Sequence, residues 1–398
     1  MNILIYTHHY PSPKELGLVP DTKVVHYFAR MLLEKGHRVQ VVHVAYWAVK
    51  EISPARLRHI WPSCRSYTVE GVPVRLIRFQ MLTPRRVYPE GFQARIINQQ
   101  LRRMKKELGW RADKVFVHFP TVFAGLTEIF ADTPATLGDF HNMDVMLLRE
   151  RDSQGRILRF IRQLNTWGYR NRNVQEYLTQ RCGGAPVPVY TGLDAALLGS
   201  PEQIARKKQR PFDTLHLLYA GQLIPLKNVD HLIQALAQLD FPVTLTIVGD
   251  GPERPRLEAL AAGDARITFT GWLPRENVID EMKKADAFVM VSSPETYGMV
   301  YLEAMAQGCI AVASRGEGFD GLIRDGENGY LALPGQVDEL AQILRRLRSL
   351  PLPTRSALID QAYALACAMT EDQTTEGFLQ ANSGAAQESA HSSAALQG

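Results

Sequence analysis

The sequence predicts an α/β protein with two doubly wound parallel-sheet domains. Short apolar runs, which are typical of buried parallel strands, alternate with amphipathic helical segments along most of the chain. The length of 398 residues fits two domains of ordinary size, and the 45% hydrophobic fraction fits two full cores. A polar stretch bounded by proline interrupts this alternation once. We therefore expect a first domain at residues 1–194, a linker at 195–213 and a second domain at 214–365.

The first domain begins with a strand, a helix and a second strand. Asn2–Tyr6 and Val39–Val44 are the predicted strands, and the helix between them starts near Lys23 and stops at Gly36. Further elements of this domain are expected at Val72–Phe79, Phe92–Leu108, Val115–Phe119 and Val187–Tyr190.

The second domain repeats the alternation. Helices are expected from a cap at Asn228 onward, at Pro274–Ala285 and at Val337–Leu350. Residues 366–380 are expected to form a C-terminal helix that can pack back on the first domain. The tail at 381–398, rich in Ala, Ser, Gln and Gly, is expected to be disordered. The predicted strands are Leu215–Ala220, Val243–Val248, Arg266–Thr270, Ala287–Val291 and Ile310–Ala313.

The net charge of +4 hides an asymmetry between the two halves. Residues 1–190 carry 28 Lys and Arg against 15 Asp and Glu, whereas the rest of the chain carries 17 against 26. A basic first half suggests an anionic partner, and a solvated basic face explains the same composition. The helix Phe92–Leu108 leaves the same choice open, because its apolar stripe edged by Arg and Lys fits an anionic membrane surface or core packing.

Cysteine usage and the N-terminus indicate a compartment. The four cysteines are far apart and show no Cys-x-x-Cys or metal-type spacing, so we expect free thiols in a reducing environment. The sequence begins with a short strand and has no basic leader and no long apolar run, which predicts neither signal peptide nor transmembrane helix. The expected location is the cytoplasm, with the inner face of the membrane as an option.

One stretch carries the clearest functional signal. The buried run Ala287–Val291 leads into a polar turn, and an apolar helix then starts after Gly298 and stops at Gly308. The unpaired amides at the start of such a helix form an anion site. Glu295 and Glu303 flank that start, with only about 7 Å of helical rise between Gly298 and Glu303. Because carboxylates repel phosphate, these two are better suited to bind hydroxyls, and the stretch as a whole predicts a nucleotide-sugar site.

The spacing from Glu295 to Glu303, with Gly298 between them and the run Glu-Ala-Met-Ala-x-Gly, resembles the Glu-x7-Glu signature of GT-B glycosyltransferases of family 4. The resemblance is strong at residues 220–333 and looser before them. It implies a GT-B fold, in which two Rossmann-like domains face each other across a cleft. It also implies a hexosyltransferase that retains anomeric configuration and uses a UDP- or GDP-linked sugar as co-substrate, with no other cofactor.

Two turns of the second domain extend the resemblance. Gly221-Gln222-Leu223 stands where the family has Gly-Arg-Leu, and Lys227 matches the family's cation on the donor diphosphate. Because Gln222 replaces the usual arginine, charge neutralisation there depends more on Lys227. Leu273 is the expected backbone contact of the nucleobase, and Trp272 beside it fits packing equally well.

Other patterns restrict the function. The Gly-Asp-Gly turn at residues 249–251 lacks the third glycine of a dinucleotide fingerprint, which argues against a dehydrogenase. The sequence shows no carboxylate cluster at metal spacing, so we predict metal-independent transfer. We expect no nucleic-acid partner.

The resemblance also assigns residues in the first domain. His141, in the element His141-x-x-Asp144, is implied to contact the donor sugar from the other side of the cleft. The family's Gly-Gly pair near the first strand is missing here, and Gly17, Asp21 and Thr22 are its nearest substitutes on the acceptor side.

The resemblance implies roles for residues of both domains. The expected catalytic residues are Glu295, His141 and Lys227, with Glu295 on the donor sugar, Lys227 on the leaving diphosphate and Glu303 on the ribose. The expected donor-binding residues are Gly221, Gln222, Lys227, Leu273, Glu295, Tyr297, Gly298, Met299, Val300 and Glu303.

The sequence thus predicts a glycosyltransferase that moves a sugar from a nucleotide-diphosphate-sugar to a glycan or lipid-linked acceptor, in cell-surface polysaccharide or glycolipid biosynthesis. Two other classes remain open. A nucleotide-sugar epimerase or hydrolase on the same fold would act with no acceptor present. A non-catalytic binding protein of glycosyltransferase ancestry would tolerate the glutamine at position 222.

Overall fold

The computed structural model divides into two compact units. The first contains Met1–Arg170, Val174–Thr191 and the C-terminal segment from Thr374, and the second contains Asn171–Asn173 and Gly192–Gln373. The structure describes residues 1–16, 24–47, 62–81, 88–131, 135–152, 155–182, 186–377 and 379–380.

The first unit is built on one sheet with the strand order β3-β4-β2-β1-β5-β6-β7-β8. All neighbouring pairs are parallel except β3 and β4, which pair antiparallel at one edge. The strands are β1 Asn2–Thr7, β2 Arg38–Trp47, β3 Ser63–Val69, β4 Val72–Gln80, β5 Lys114–His118, β6 Thr136–Phe140, β7 Thr166–Tyr169 and β8 Val187–Pro188.

Both faces of the central part of this sheet are buried. Along β1, Ile3 and Ile5 enter one apolar cluster, whereas Leu4 and Tyr6 enter another, as expected from the period of two in a strand. Burial on both faces explains why the central strands are near-continuous apolar runs, whereas the edge strand β3 is mostly exposed. The described helices of this unit are Val24–Glu34, Gly91–Leu108, Asn142–Glu150, Arg156–Ile161 and, starting in the second unit, Arg172–Cys182.

The second unit has a fully parallel six-stranded sheet in the order β11-β10-β9-β12-β13-β14. The predicted α/β class with two parallel-sheet domains is therefore confirmed. The strands are β9 Leu215–Ala220, β10 Val243–Val248, β11 Ile267–Gly271, β12 Ala287–Val289, β13 Ile310–Ser314 and β14 Tyr330–Ala332. The helices are Pro201–Gln209, Val229–Ala237, Arg254–Leu260, Arg275–Lys284, Met299–Ala306, Val337–Arg348 and Leu352–Ala368.

The helix Met299–Ala306 ends as the sequence indicates. Gly308 has a φ of 76°, in the left-handed region. Its amide donates to the Met305 carbonyl at 2.9 Å, and the Cys309 amide donates to the Ala304 carbonyl at 3.0 Å. This pair of bonds is a Schellman motif, which turns the chain directly into β13.

Residues 195–213 are not a simple linker. Ala195–Leu197 forms a 3-10 turn and Pro201–Gln209 a helix, whose first turn is capped by the Ser200 hydroxyl accepting from the Gln203 amide at 3.2 Å. Lys207 lies within the stretch expected to be a polar linker, yet it is buried, and its ammonium donates to the carbonyls of Met282 and Ala285, both at 2.7 Å. The local composition could not predict this contact, because it is made with the end of the helix Arg275–Lys284, which is distant in sequence.

The expected C-terminal helix at 366–380 is also interrupted. Leu352–Ala368 ends before Thr370, and residues 371–377 form a separate helical segment. Leu193 causes the break, because its amide donates to the Met369 carbonyl at 2.8 Å and its carbonyl accepts from the Glu371 amide at 2.9 Å. The segment from Thr374 is part of the first unit. The predicted disordered tail at 381–398 lies outside the described residues.

The basic helix Gly91–Leu108 is packed into its unit. Ala94, Ile97, Leu101 and Met104 lie in the apolar core, so core packing accounts for the apolar stripe. Phe92 is the exception, at 59% exposure. Within the described residues, we find no helix whose length and apolar character would let it cross a bilayer.

Candidate functional site

The turn between β12 and the helix Met299–Ala306 forms the centre of the site. Gly298 precedes the helix with a φ of 83°, a conformation that disfavours other residues. A side chain there would also overlap the Tyr301 ring, 2.6 Å from its Cδ2 atom. The backbone can therefore make this turn only with glycine, and the Met299 and Val300 amides open the helix as the sequence predicts.

Glu295 and Lys227 are brought together by the carboxyl ends of two neighbouring strands. Lys227 lies in the 3-10 turn Pro225–Lys227 after β9, and its Nζ is 2.6 Å from Glu295 Oε2. The same oxygen accepts from the Ser292 hydroxyl at 2.9 Å. Both side chains are mostly buried, at 21% exposure for Lys227 and 12% for Glu295. An ammonium has three donors, so this ion pair leaves Lys227 able to bind a further anion.

The two turns are also joined through their backbones. The Ser293 amide donates to the Leu226 carbonyl at 2.9 Å. The Asn228 side chain donates to the Val291 carbonyl at 2.8 Å and makes no cap bond to the following helix, contrary to the expectation that it would cap that helix. The site at the β9 and β12 ends is therefore a fixed framework rather than two independent loops.

Glu303 has a partner that the sequence did not suggest. Arg275, the first residue of the helix after the Gly271–Pro274 turn, donates to Glu303 Oε1 from Nε at 3.1 Å and from an η nitrogen at 2.5 Å. A lone arginine at a helix start carries no motif, which is why sequence reasoning missed it. Both bonds use one carboxylate oxygen, so Oε2 remains the oxygen suited to a ribose hydroxyl.

Glu317 is the second residue that was missed. It lies in the loop after β13, and its carboxylate accepts from the Ser293 hydroxyl at 2.9 Å and from the Glu295 amide at 3.0 Å. The sequence around it, at residues 315–321, shows no spacing pattern that would single out Glu317. The structure ties that loop to the turn that carries Glu295.

Gly221 and Gln222 lie at the end of β9, where the glycine amide donates to the Val248 carbonyl at 3.0 Å. Gln222 is exposed, and its carbonyl accepts from the Tyr219 hydroxyl at 2.9 Å. Its side chain is therefore accessible to a ligand but carries no charge. Gly249 has a φ of 133° and approaches the Gly221 carbonyl so closely that any side chain would overlap it.

The turn after β11 exposes an aromatic ring. Trp272 is 72% exposed, so the packing alternative for this residue is wrong. Leu273 beside it is half-buried. Tyr297, also expected at the donor, is buried and packs against Phe319 with ring centres 5.3 Å apart, which leaves its backbone as the part suited to a ligand.

His141 belongs to a buried cluster at the carboxyl end of β6 in the first unit. Its Nε2 lies 3.4 Å from Asp139 Oδ2, and its ring stacks on Phe119 with centres 4.0 Å apart. Its Nδ1 has no hydrogen-bond partner among the described residues. Arg170 donates to both Asp139 oxygens, at 3.0 Å to Oδ1 and 2.6 Å to Oδ2. Asp144 accepts from the His141 amide at 2.9 Å and so fixes the turn.

Burial sets the charge states in this cluster. It lowers the pKa of His141 and lowers that of His118 well below its ordinary value, the latter helped by the neighbouring His141. Burial is the largest single effect on the pKa of Asp139 and raises it, but Arg170 and His141 together outweigh burial and hold that pKa below its usual range. Burial raises the pKa of Asp144 to about 7. The cluster therefore holds neutral histidines beside an ion pair.

Ligand atoms of His118, Asp139 and His141 lie within 4.8 Å of one another, a grouping that could be considered for a metal ion. Arg170 already occupies both carboxylate oxygens of Asp139, and its positive charge would repel a divalent cation. The three residues therefore fit a buried Asp139–Arg170 ion pair with neighbouring histidines better than a metal site. Metal-independent transfer remains a prediction. The acceptor-side residues Gly17, Asp21 and Thr22 lie outside the described residues.

The buried histidines predict a measurable pH dependence. A histidine whose pKa is lowered on folding destabilises the fold as pH falls below its unfolded value near 6.5, by at most about 1 kcal/mol per group at pH 5.5. Asp144, whose pKa is raised, acts in the opposite direction. We therefore expect His118→Asn to remove part of the acid destabilisation, read as the difference in unfolding free energy between wild type and variant at pH 7.5 and 5.5. A pH-independent difference would contradict the neutral state of His118.

Solved structures of other proteins share the fold of this chain. HepE from Anabaena, crystallised with UDP and glucose, superposes with a TM-score of 0.63 at 20% identity, covering 96% of this chain and 100% of that one. Sucrose-phosphate synthase from Thermosynechococcus elongatus gives 0.64 at 17% identity, covering 95% and 97%. The chain has the GT-B fold. Residues 201–365 match the family model of glycosyl transferases group 1.

Curated relatives of this GT-B chain are named as glycosyltransferases. The lipopolysaccharide core biosynthesis glycosyltransferase LpsE of Rhizobium meliloti is 35% identical over 144 residues, which is 35% of this chain and 42% of that protein. The D-inositol 3-phosphate glycosyltransferase of Acidothermus cellulolyticus is 32% identical over 235 residues, 54% of this chain and 51% of the relative. The matches thus span about half or less of these relatives.

Proposed function

We propose that this protein is a retaining glycosyltransferase of family 4 that moves a hexosyl group from a nucleotide-diphosphate-sugar to a glycan or lipid-linked acceptor. The observation that carries the proposal is the Lys227–Glu295 pair, at 2.6 Å, beside the helix start after Gly298. It combines a cation for a diphosphate, a carboxylate for sugar hydroxyls and open amides for phosphate in one turn region. The match of residues 201–365 to glycosyl transferases group 1 supports the same activity.

The roles follow from the chemistry of each group. Lys227 neutralises the charge that develops on the leaving diphosphate, and the Met299 and Val300 amides bind phosphate. Glu303 accepts from ribose hydroxyls through Oε2, while Arg275 holds Oε1. The remaining proposed donor contacts are Gly221, Gln222, Leu273, Glu295, Tyr297 and Gly298.

Other parts of the proposal rest on the family resemblance. His141 is proposed to contact the donor sugar, and its unpartnered Nδ1 is suited to a hydroxyl. UDP and GDP sugars are the proposed donors, and HepE, which has the same fold, was crystallised with UDP. We also propose the cytoplasm as the location, with contact to an anionic membrane supported by the basic composition of residues 1–190. A role in cell-surface polysaccharide or glycolipid synthesis is part of the same proposal.

Thermal-shift screening tests the donor site. UDP, GDP and ADP, each alone and linked to a sugar, should be added to the full chain, because a bound ligand raises the unfolding temperature by mass action. We expect one nucleotide to stabilise the protein and Glu303→Ala to remove most of that shift, an affinity loss of about 10-fold or more. Glu276→Ala, which removes an exposed acid from the Arg275 helix, serves as the control.

The outcomes separate the proposal from its rivals. An unchanged shift in Glu303→Ala would contradict the ribose role, and no shift with any nucleotide would contradict the donor site. Rapid conversion of the stabilising donor with no acceptor present would favour an epimerase or hydrolase. Stabilisation without turnover in the presence of any acceptor would favour a binding protein.

A further inference from the structure

The loop after β13 holds the backbone of Glu295 on both sides. Glu317 accepts from the Glu295 amide at 3.0 Å, and the Gly318 amide donates to the Glu295 carbonyl at 2.9 Å. The second oxygen of Glu317 accepts from the Ser293 hydroxyl at 2.9 Å. Glu317 and Gly318, which are consecutive in the loop, therefore bind the Glu295 amide and the Glu295 carbonyl, respectively.

Close packing reinforces these bonds. A side chain at position 318 would lie 2.6 Å from the Tyr297 carbonyl oxygen and 2.9 Å from Glu295 Cγ, so only glycine allows the loop to lie this near the turn. Phe319 follows, is 1% exposed and packs on Tyr297 and Tyr301, each with ring centres 5.3 Å apart. The loop is thus anchored to the turn and to the helix that follows it.

The Glu317 carboxylate binds the turn that carries Glu295. Its two oxygens take one backbone N–H and one hydroxyl, whereas the Glu295 carboxylate faces Lys227. Hydrogen bonds to an ionised acceptor are about twice as strong as neutral ones, so a carboxylate fixes this backbone more firmly than a neutral side chain would. Glu317 therefore holds the backbone of Glu295 in place.

We infer that Glu317 is a positioning residue, which holds the Glu295 turn so that the Glu295 carboxylate lies both on Lys227 and toward the donor sugar. The inference rests on the proposed function for the role of Glu295. It predicts that Glu317 matters more for the sugar part of a donor than for the nucleotide part. Glu295 is the proposed sugar contact, whereas Glu303, the Met299–Val300 amides and Lys227 are the proposed nucleotide contacts.

Calorimetric titration of the full chain tests this separation. The probes are UDP and UDP-glucose, GDP and GDP-mannose, and ADP and ADP-glucose, and the pair that wild type binds most tightly is carried forward. For Glu317→Ala we expect the ratio of Kd for the nucleotide-sugar to Kd for the nucleotide to rise about 10-fold, since small displacements of a positioned group weaken its contacts steeply. The Kd of the nucleotide alone should stay within about 2-fold.

Two variants distinguish positioning from a general structural role. Glu317→Gln keeps the size and one acceptor oxygen but loses the charge, so the Kd ratio should rise by about 3-fold, clearly less than in Glu317→Ala. Glu327→Ala removes an exposed acid that pairs with Arg324 at 2.5 Å in the next turn, and it should leave both constants unchanged. Circular dichroism checks that each variant is folded.

The possible results distinguish failure of the proposed function from failure of this inference. A wild type that binds none of the six probes overturns the proposed function and this inference with it. A wild type that binds, with an unchanged Kd ratio in Glu317→Ala, overturns the inference alone. If Glu317→Ala does not fold, Ser293→Ala removes one of the two hydrogen bonds, and a ratio that fails to rise by about 3-fold then overturns the inference.

Discussion

Replacing Lys227 by alanine is expected to lower the turnover of the nucleotide-sugar about 100- to 1,000-fold, because a single preorganised group that stabilises transition-state charge contributes that much. The effect should exceed that of most single substitutions, since Gln222 supplies no second cation in the neighbouring turn. Loss of the ammonium also leaves Glu295, at 12% exposure, without its 2.6 Å partner. We expect the free energy of unfolding to fall by about 1–3 kcal/mol as a result.

Lys283→Ala is the matched control for this variant. Lys283 is 45% exposed and pairs with Asp280 one turn away, so its removal should change neither turnover nor stability measurably. The rates are measured with the donor and acceptor that wild type uses, and stability by thermal unfolding. A Lys227→Ala protein that keeps wild-type turnover would contradict the assignment of the diphosphate to this lysine.

The elements of the second unit could be predicted from sequence because their strands are buried on both faces. Leu215–Ala220 and Val243–Val248 have the predicted bounds, since a parallel strand covered by helices is an unbroken apolar run. The helix Pro201–Gln209 could not be predicted as a packed element. Its anchor is Lys207, and the carbonyls that this lysine binds lie 75 and 78 residues away.

The candidate site was predictable where a motif exists and hidden where only the fold brings residues together. Glu295 and Lys227 were each found by resemblance, yet their pairing across 68 residues depends on β9 and β12 being neighbours in the sheet. Arg275 and Glu317 carry no spacing pattern at all. Arg275 begins a helix and Glu317 lies in a loop, and the role of each is visible only through the partner that it binds.

Gly298→Ala is expected to destabilise the protein by about 2–5 kcal/mol and to weaken nucleotide binding. A left-handed conformation costs a non-glycine residue about 1–2 kcal/mol, and forced overlap in a packed region adds about 1–3 kcal/mol. The overlap is with the ring of Tyr301, which is 1% exposed and held by its hydroxyl donating to the Met290 carbonyl at 2.5 Å. Relief must therefore come from the helix start, which displaces the Met299 and Val300 amides.

Gly335→Ala separates the two contributions to that loss. Gly335 has a φ of 85°, close to the 83° of Gly298, but a side chain there would meet nothing within 4 Å. Its substitution should therefore cost only the conformational part, about 1–2 kcal/mol, and leave nucleotide affinity unchanged. Thermal unfolding and calorimetry with the nucleotide that wild type binds measure both quantities. Equal losses in the two variants would mean that the Tyr301 ring yields, and that close approach at the helix start is not what requires glycine.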